Sequence, residues 1–347
     1  MLGERLRLAR KKAGLSLRAL SDAIDNQVSA QAIGKYENAL MVPGSEVLLA
    51  LAKALGEPVD FFLSPADTEL VGLEFRKRAN TTVKERAQVE AAVLDHVERY
   101  LEVERALGLD TAHWNRPVPR QRIETFDAAE QLAVAVRDAW RLGTDPLLDV
   151  TELLEEHGLK VFVIELPEKV SGLTCEVRST DDVSPVPVIV VNAVHNLERR
   201  RLTIAHELAH RVIEESSPLD VEAAAMRFAG AFLMQADHLL ERVGTHRHAF
   251  ARQEIIELKR LYRVSGAALI VRLEQLGVIT SSTCSYLFRG MARTWRRNEP
   301  EPIKDESAER AQRFRRLCYR ALGEDLISAS RAAELLRVPL ARLRGEV

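Results

Sequence analysis

Cysteine is scarce in this chain of 347 residues. Its three cysteines, Cys175, Cys284 and Cys318, are odd in number and widely spaced, so they form neither a disulfide framework nor a metal knuckle. No apolar run approaches the ~18 residues that a membrane span requires. The first residues, MLGERLRLARKK, are charged where a signal peptide has an apolar core. These absences lead us to expect a reduced, cytoplasmic protein with no membrane partner. Neither sign of charge prevails: 49 Lys and Arg against 51 Asp and Glu leave a formal charge of −2, so any nucleic-acid contact must come from a local patch. There is no internal repeat and no low-complexity tract. What remains is the composition of a globular protein, too long for one small core and suited to two or three domains.

Four segments follow from the pattern along the chain. Residues 1–65 hold four or five short helical patterns, with Gly14 and Gly56 where helices should stop and Pro43–Gly44 marking a loop. Residues 66–125 carry a long charged helix at about 83–108, with apolar Val89, Val93, Val97 and Leu101 at helical spacing, then the proline-punctuated RPVPRQ. A bridging or dimer-forming helix is the simplest reading of that stripe. Residues 126–290 mix helices with strands at GLKVFVIEL and VPVIVVN. Residues 291–347 form an Arg-rich helical region ending in SASRAAELLRVPLARLR, which has the look of a further helix-turn-helix. Its arginines, Arg293, Arg297, Arg313 and Arg320 among them, form a solvated face in the simplest reading and a surface for nucleic acid or an acidic partner in the other.

The stretch TIAHELAHRV, residues 203–212, places His206, Glu207 and His210 inside an apolar run. On a helix, positions i and i+4 share a face, so both imidazoles can hold one zinc ion while Glu207 sits beside the first. Zinc in a three-ligand site lowers the pKa of its water to about 7, and Glu207 is then placed to take the proton as general base. A chance motif on a helix surface would not be flanked by Ile204, Ala205, Leu208, Ala209 and Val212, because unpaired buried polar groups are costly. The third ligand is expected from the next helix. Glu222 leads, backed by apolar Ala225, Phe228, Ala229 and Phe232. Glu214 and Glu215 lie too close along the first helix, and Asp220 reads as an N-cap. The strand VPVIVVN reads as a core strand or as a free edge that could take an extended peptide. His238, His246, His248 and Tyr262 are polar groups available to steady an oxyanion, and nothing in the sequence chooses among them.

In the first segment, LRALSDAIDNQ and SAQAIGKYENA are short helical patterns separated by a tight break, as in a helix-turn-helix. The first residues of the second helix, Ser29, Ala30 and Gln31, with Lys35 one turn on, would face base edges. Gln31 suits adenine, and Lys35 suits guanine or a phosphate. Arg10 and Arg18, with Arg5, Arg7, Lys11 and Lys12, give a basic face for backbone contacts. A small helical bundle that binds protein is the alternative.

Two resemblances follow from these residues. Residues 1–64 resemble a phage-repressor, Cro-like (XRE) helix-turn-helix domain, on RLRLARKKAGLSLRALSDAI, QAIGKYENA and LLALAKALGEPVDFFL. Residues from about 126 to 290 resemble the ImmA/IrrE family of zinc-peptidase-like proteins, on LLEEHGLKVFVIELP, PVIVVN, RRRLTIAHELAH, EAAAMRFAGAFLM and ALIVRLEQLGVI. The resemblances imply a multi-domain chain: an all-α repressor-like domain, an α+β gluzincin-like metallopeptidase domain and an α-helical C-terminal tail. They imply His206, His210 and Glu222 as ligands of Zn2+, or of Mn2+ in its place. Where the family commonly has Asn or Asp four residues after the ligand glutamate, this chain has Met226, which cannot hydrogen-bond a ligand histidine. Met234 is followed by Gln235 where the family often has proline.

The function expected is a DNA-binding regulator, dimeric because such domains read paired half-sites. Its peptidase-like domain would cut a specific partner such as a repressor, in a stress or mobile-element response. The alternative is a catalytically silent regulator or an antitoxin, with the peptidase fold serving as sensor or platform for a toxin partner.

Overall fold

A computed structural model describes the chain apart from Met1, 64–67, 72–81, 110–113, Asn115, 180–184, 306–307 and Val347. The boundary expected at 65/66 lies outside the described residues. Five helices come first: α1 (Leu2–Lys12), α2 (Leu17–Ala23), α3 (Ala30–Glu37), α4 (Ser45–Leu55) and α5 (Val59–Leu63). Strand β1 (Thr68–Val71) and the long α6 (Val83–Ala106) follow, then α7 (Phe126–Ala139) and α8 (Val150–Glu156). Three strands come next, β2 (Lys160–Ile164), β3 (Gly172–Ser179) and β4 (Val186–Asn192). The remainder is helical: α9 (Leu197–Val212), α10 (Val221–Leu233), α11 (Ala236–Val243), α12 (Arg252–Tyr262), α13 (Gly266–Gln275), α14 (Ser281–Arg289), α15 (Arg313–Gly323), α16 (Ala329–Leu336) and α17 (Leu340–Glu346). Two compact units divide the chain. The first takes residues 1–113, 175–188 and 312–347, and the second takes 114–174 and 189–311.

In the first unit, the helices of the N-terminal segment start where the sequence offers caps. Ser16 and Ser29 accept hydrogen bonds from the backbone N–H groups of Ala19 and Ala32, satisfying donors that a helix start leaves open. Gly56 ends α4 at φ +66°, in the left-handed region. The core is Leu6, Leu20, Ile33, Leu51 and Phe62, all fully buried. At Gly3 a Cβ would come 2.4 Å from the Tyr36 carbonyl oxygen, so glycine permits the close approach of α1 to α3.

Helix α6 opens with a capping box, Thr82 with Glu85. Val89, Val93, Val97 and Leu101 are buried along it, as the stripe predicts, and so are Ala91, Tyr100 and Val103. It buries a second face because α1 packs against it and α15 does so as well. That second face carries carboxylates. Asp95, 2% exposed, meets Lys12 Nζ at 3.1 Å, Arg99 at 3.1 Å and Arg337 at 2.5 Å. Burial raises its pKa, but Arg99, Lys12 and Arg337 together outweigh burial and hold the carboxyl below its ordinary range. Glu57 takes Lys12 at 2.7 Å and Arg337 at 3.0 Å. Farther along, Glu102 binds Arg331 and Glu104 binds Arg313. For Arg313, Arg331 and Arg337 of the tail, the acidic partner is helix α6 of the same chain.

His96 sits in this belt, with Nδ1 donating to the Ala92 carbonyl at 2.8 Å. Burial, followed by the Arg99 guanidinium, pushes its pKa down to about 4 from 6.5. An unfolded chain takes up a proton there at a higher pH than the folded one. The stability contributed is therefore full above about pH 6.5 and is lost as pH falls toward 4. Unfolding in urea across that window should show wild type losing stability with a slope of up to one proton. His96→Gln should flatten that part of the profile, and an unchanged slope would refute the assignment.

The four strands form one sheet in the order β1-β3-β4-β2, with β1 antiparallel to β3 and Leu70 opposite Val177. In β3, Leu173, Cys175 and Val177 are buried and alternate with more accessible Thr174, Glu176 and Arg178. β4 decides between two readings of its sequence, in favour of the core strand. It lies between β3 and β2 with all seven residues buried, so VPVIVVN has no free edge to offer a peptide.

The core of the second unit is built around α10, which packs on α7 and α9. Leu132 and Val136 of α7, Ile204 and Leu208 of α9, and Phe228 and Phe232 of α10 are sealed from solvent. Two buried ion pairs pin the segment after α14 to this unit. Lys259 Nζ bonds Glu198 at 2.8 Å and the carbonyls of Pro300 and Glu301 at 3.0 Å. Glu309 bonds Arg201 and accepts from the N–H groups of Val150 and Thr151 and from the Thr151 hydroxyl, at the start of α8.

Candidate functional site

Helix α9 is capped by Asn196, whose side chain accepts from the Arg199 N–H at 3.0 Å. Ile204, Ala205, Leu208, Ala209 and Val212 fill the core, which fixes the rotation of the helix. His206 and His210, one turn apart, then share a face, with their Nε2 atoms 3.1 Å apart. Helix α10 brings the third group. Asp220 caps it, accepting from the Ala223 N–H at 2.8 Å, and Glu222 stands in its first turn. Glu222 Oε2 lies 3.3 Å from His206 Nε2, and Oε1 lies 3.7 Å from His210 Nε2. One ligand atom from each residue falls within 4.8 Å of the others. Glu214 and Glu215 lie beyond the last turn of α9, with Glu215 exposed. Glu207 follows His206 and is 4% exposed.

The donor set suits a divalent cation. Tetrahedral bonds of 2.0–2.1 Å place ligand atoms about 3.3 Å apart, close to the three separations found here. Two imidazole Nε2 atoms facing one another at 3.1 Å can share at most one proton, whereas a cation satisfies both lone pairs and the carboxylate together. The neighbourhood is less complete. His206 Nδ1 is buried with no hydrogen-bond partner, a position where metal-bound histidines ordinarily donate to a carboxylate or carbonyl. Met226, one turn after Glu222, is 47% exposed.

Of the four groups considered for an oxyanion, His238 and Tyr262 share a 2.7 Å hydrogen bond in the core, and burial raises the tyrosine hydroxyl to about 12. His246 and His248 stack edge to face with one another. Neither pair is part of the His206–His210–Glu222 group.

Comparison with protein-family models places this geometry. Residues 154–274, which run from α8 through α13 and include all four site residues, match a peptidase family described as the IrrE N-terminal-like domain. Residues 6–62, α1 through most of α5, match the Helix-turn-helix family. The chain joins a helix-turn-helix domain to an IrrE N-terminal-like domain. No curated protein and no solved structure matches it. Helix α7 lies outside the matched range, yet the IrrE N-terminal-like domain packs its α10 against it.

The helix-turn-helix domain supports DNA binding, and no helix among the described residues is long and apolar enough to cross a membrane. The second helix of the motif itself, α3, exposes Gln31 and Lys35 on one face, one turn apart. Ser29 is exposed and caps α3 through its hydroxyl, and Ala30 is half-buried. Arg18 is exposed. The basic face expected around it is narrower than the sequence suggests. Arg10 gives its guanidinium to Glu37 through bonds of 2.5 and 2.8 Å and to the Leu15 carbonyl, Arg5 is buried against Glu98, and Lys12 belongs to the Asp95 belt. Those three cations hold the unit together. Gln31→Ala should cost about 1–3 kcal/mol of operator binding and relax preference at one base, and Lys35→Ala should weaken binding to all sequences and reduce the salt slope by about one. Anisotropy titrations at several salt concentrations on a selected operator would read both effects, with metal content unchanged. Full binding by the double variant would remove α3 as the reading helix.

Proposed function

We propose that the chain is a cytoplasmic transcriptional regulator that binds operator DNA as a homodimer and whose second domain is a zinc-dependent peptidase for one specific partner protein. The convergence of His206, His210 and Glu222 on one point, with Glu207 buried beside them, carries this reading. Zn2+ suits the two imidazoles and the carboxylate, and Mn2+ is the alternative ion. A bound divalent cation supplies Lewis acidity to a carbonyl and acidifies water. Glu207 takes the proton from the attacking water and delivers it to the departing amine. A partner such as a repressor, cut in response to stress or to activation of a mobile element, would link proteolysis to the DNA-binding domain.

A second reading, a silent regulator or antitoxin that uses the fold as a sensor or toxin-binding platform, is favoured by the unpartnered His206 Nδ1 and by Met226. Proteins from the producing cell, incubated with wild type or with Glu207→Gln, distinguish the two when new N-termini are counted. The peptidase reading expects one partner to be cut by wild type and at least about a hundredfold slower by Glu207→Gln, with metal content equal. Equal outcomes for both proteins would support the silent reading.

A further inference from the structure

A cavity of about 700 Å3 lies within the second unit, lined by residues that come within one helical turn of His206 and Glu222, at Leu202 and Met226. Its lining follows helical registers. From α9 and the turn before its cap come His195, Arg199 and Leu202, and the next residue on that face is His206. From α10 come Met234, Gly230 and Met226, and the next on that face is Glu222. The two packed helices therefore run in opposite directions along one groove, and both faces lead toward the candidate metal site. At 1.5 Å per residue, the stretch from His206 back to His195 covers about 16 Å. An extended peptide of about five residues spans that length.

The chemistry of the walls is asymmetric. Leu202, Met226 and Val271 make an accessible apolar surface over buried Met234 and Trp295, and methionine adapts to different side chains. The acidic group in the lining, Glu299, is already engaged by the Gly266 N–H at 2.9 Å and by Lys259 at 3.1 Å. Arg272 is engaged by Glu130. Arg199 bonds only the neutral Ser171 hydroxyl, and Arg296 lies over the Phe288 ring. Among the described residues, neither these two nor Arg297 pairs with a carboxylate. His195 adds a buried Nε2 with no hydrogen-bond partner. The groove thus combines an apolar floor with a rim of arginines that form no ion pair among the described residues, with the Glu168 carboxylate near enough to act on His195.

We propose that this groove holds the substrate polypeptide in extended form, seating apolar side chains on Leu202, Met226 and Val271 and an Asp or Glu, three to five residues from the cleaved bond, against Arg199 and Arg297. This rests on the reading of the second domain as a peptidase and names the substrate segment that it selects. Central β4 offers no edge, so selection falls on side chains in this groove rather than on addition of a strand to β4.

The test uses the full-length Glu207→Gln chain, its zinc content measured first, and fluorescein-labelled decapeptides of one apolar host sequence. A single Asp is walked through the host, and each peptide has a Lys counterpart. Anisotropy should show the Asp peptides binding at least about tenfold tighter than the Lys peptides, with the gap varying with the position of Asp. Arg199→Glu with Arg297→Glu, two exposed positions whose change leaves the core intact, should invert the preference at unchanged zinc content. Equal binding of Asp and Lys peptides, or a preference indifferent to the charge reversal, overturns the proposal. Zinc absent with the Asp preference intact would defeat the peptidase reading while leaving the groove as a site for acidic–apolar segments. Zinc and cleavage without the preference would defeat the groove alone.

Discussion

Replacing His206 by alanine should take the purified protein from about one tightly held zinc ion to none. The remaining donors, His210 and Glu222, would leave the ion with too few protein ligands, and a three-ligand site depends on all of its members. The readout is double. Elemental analysis gives the stoichiometry, and thermal unfolding with and without chelator gives the linkage. A ligand that binds only the folded state and is present at a thousand times its dissociation constant adds about 4 kcal/mol to stability. Chelator should therefore lower the unfolding temperature of the wild type by several degrees and leave His206→Ala unmoved. The variant without metal should be no less stable than the stripped wild type, because the substitution also removes the close approach of two imidazoles. Equal metal in both proteins would mean that the ion, if present, is held elsewhere.

The second large effect is expected far from that site, at Glu309. Its carboxylate and the Arg201 guanidinium are both wholly buried, and it also satisfies three donors at the start of α8. Glu309→Ala would strand the arginine charge and two backbone N–H groups in the core. Removing one partner of such a pair costs about 3–5 kcal/mol, whereas replacing both by apolar residues of similar volume is often neutral. Urea unfolding should show that loss for Glu309→Ala. Arg201→Met with Glu309→Leu should recover part of it, though not the part due to the two N–H groups. A loss below about 1 kcal/mol would mean that water reaches the site.

Much of the local structure can be read from the sequence, since its causes are local. Ser16, Ser29 and Asp220 are helix caps by residue type, and the spacing of His206 and His210 puts them on one face wherever the helix packs. β4 is legible as an apolar run between Pro185 and the Asn196 cap. The alternation in β3, Leu173, Cys175 and Val177, is a period of two, but only three apolar residues carry it, with Thr174 and Glu176 between them. The rest depends on partners distant in sequence. That β4 is central and not an edge follows from the pairing order, which a single strand does not encode. The charges of the N-terminal segment read as a free basic surface until Glu37, Glu57, Asp95 and Glu98 are seen facing them. The groove draws its lining from residues spread between Val194 and Glu299, and none of them forms a motif.

The belt around Asp95 has a consequence for how the protein is made. Arg337 lies 242 residues beyond Asp95 and 280 beyond Glu57. At about 5–20 residues per second, a ribosome needs some 10–60 s to cross that interval. Until Arg337 is made, Glu57 has Lys12 and Asp95 has Lys12 and Arg99, without the further cation that reaches both carboxylates in the finished unit. Residues 312–347 complete the first unit only after the second unit has been made, so a chain that stops short of them should hold the helix-turn-helix domain on a looser support.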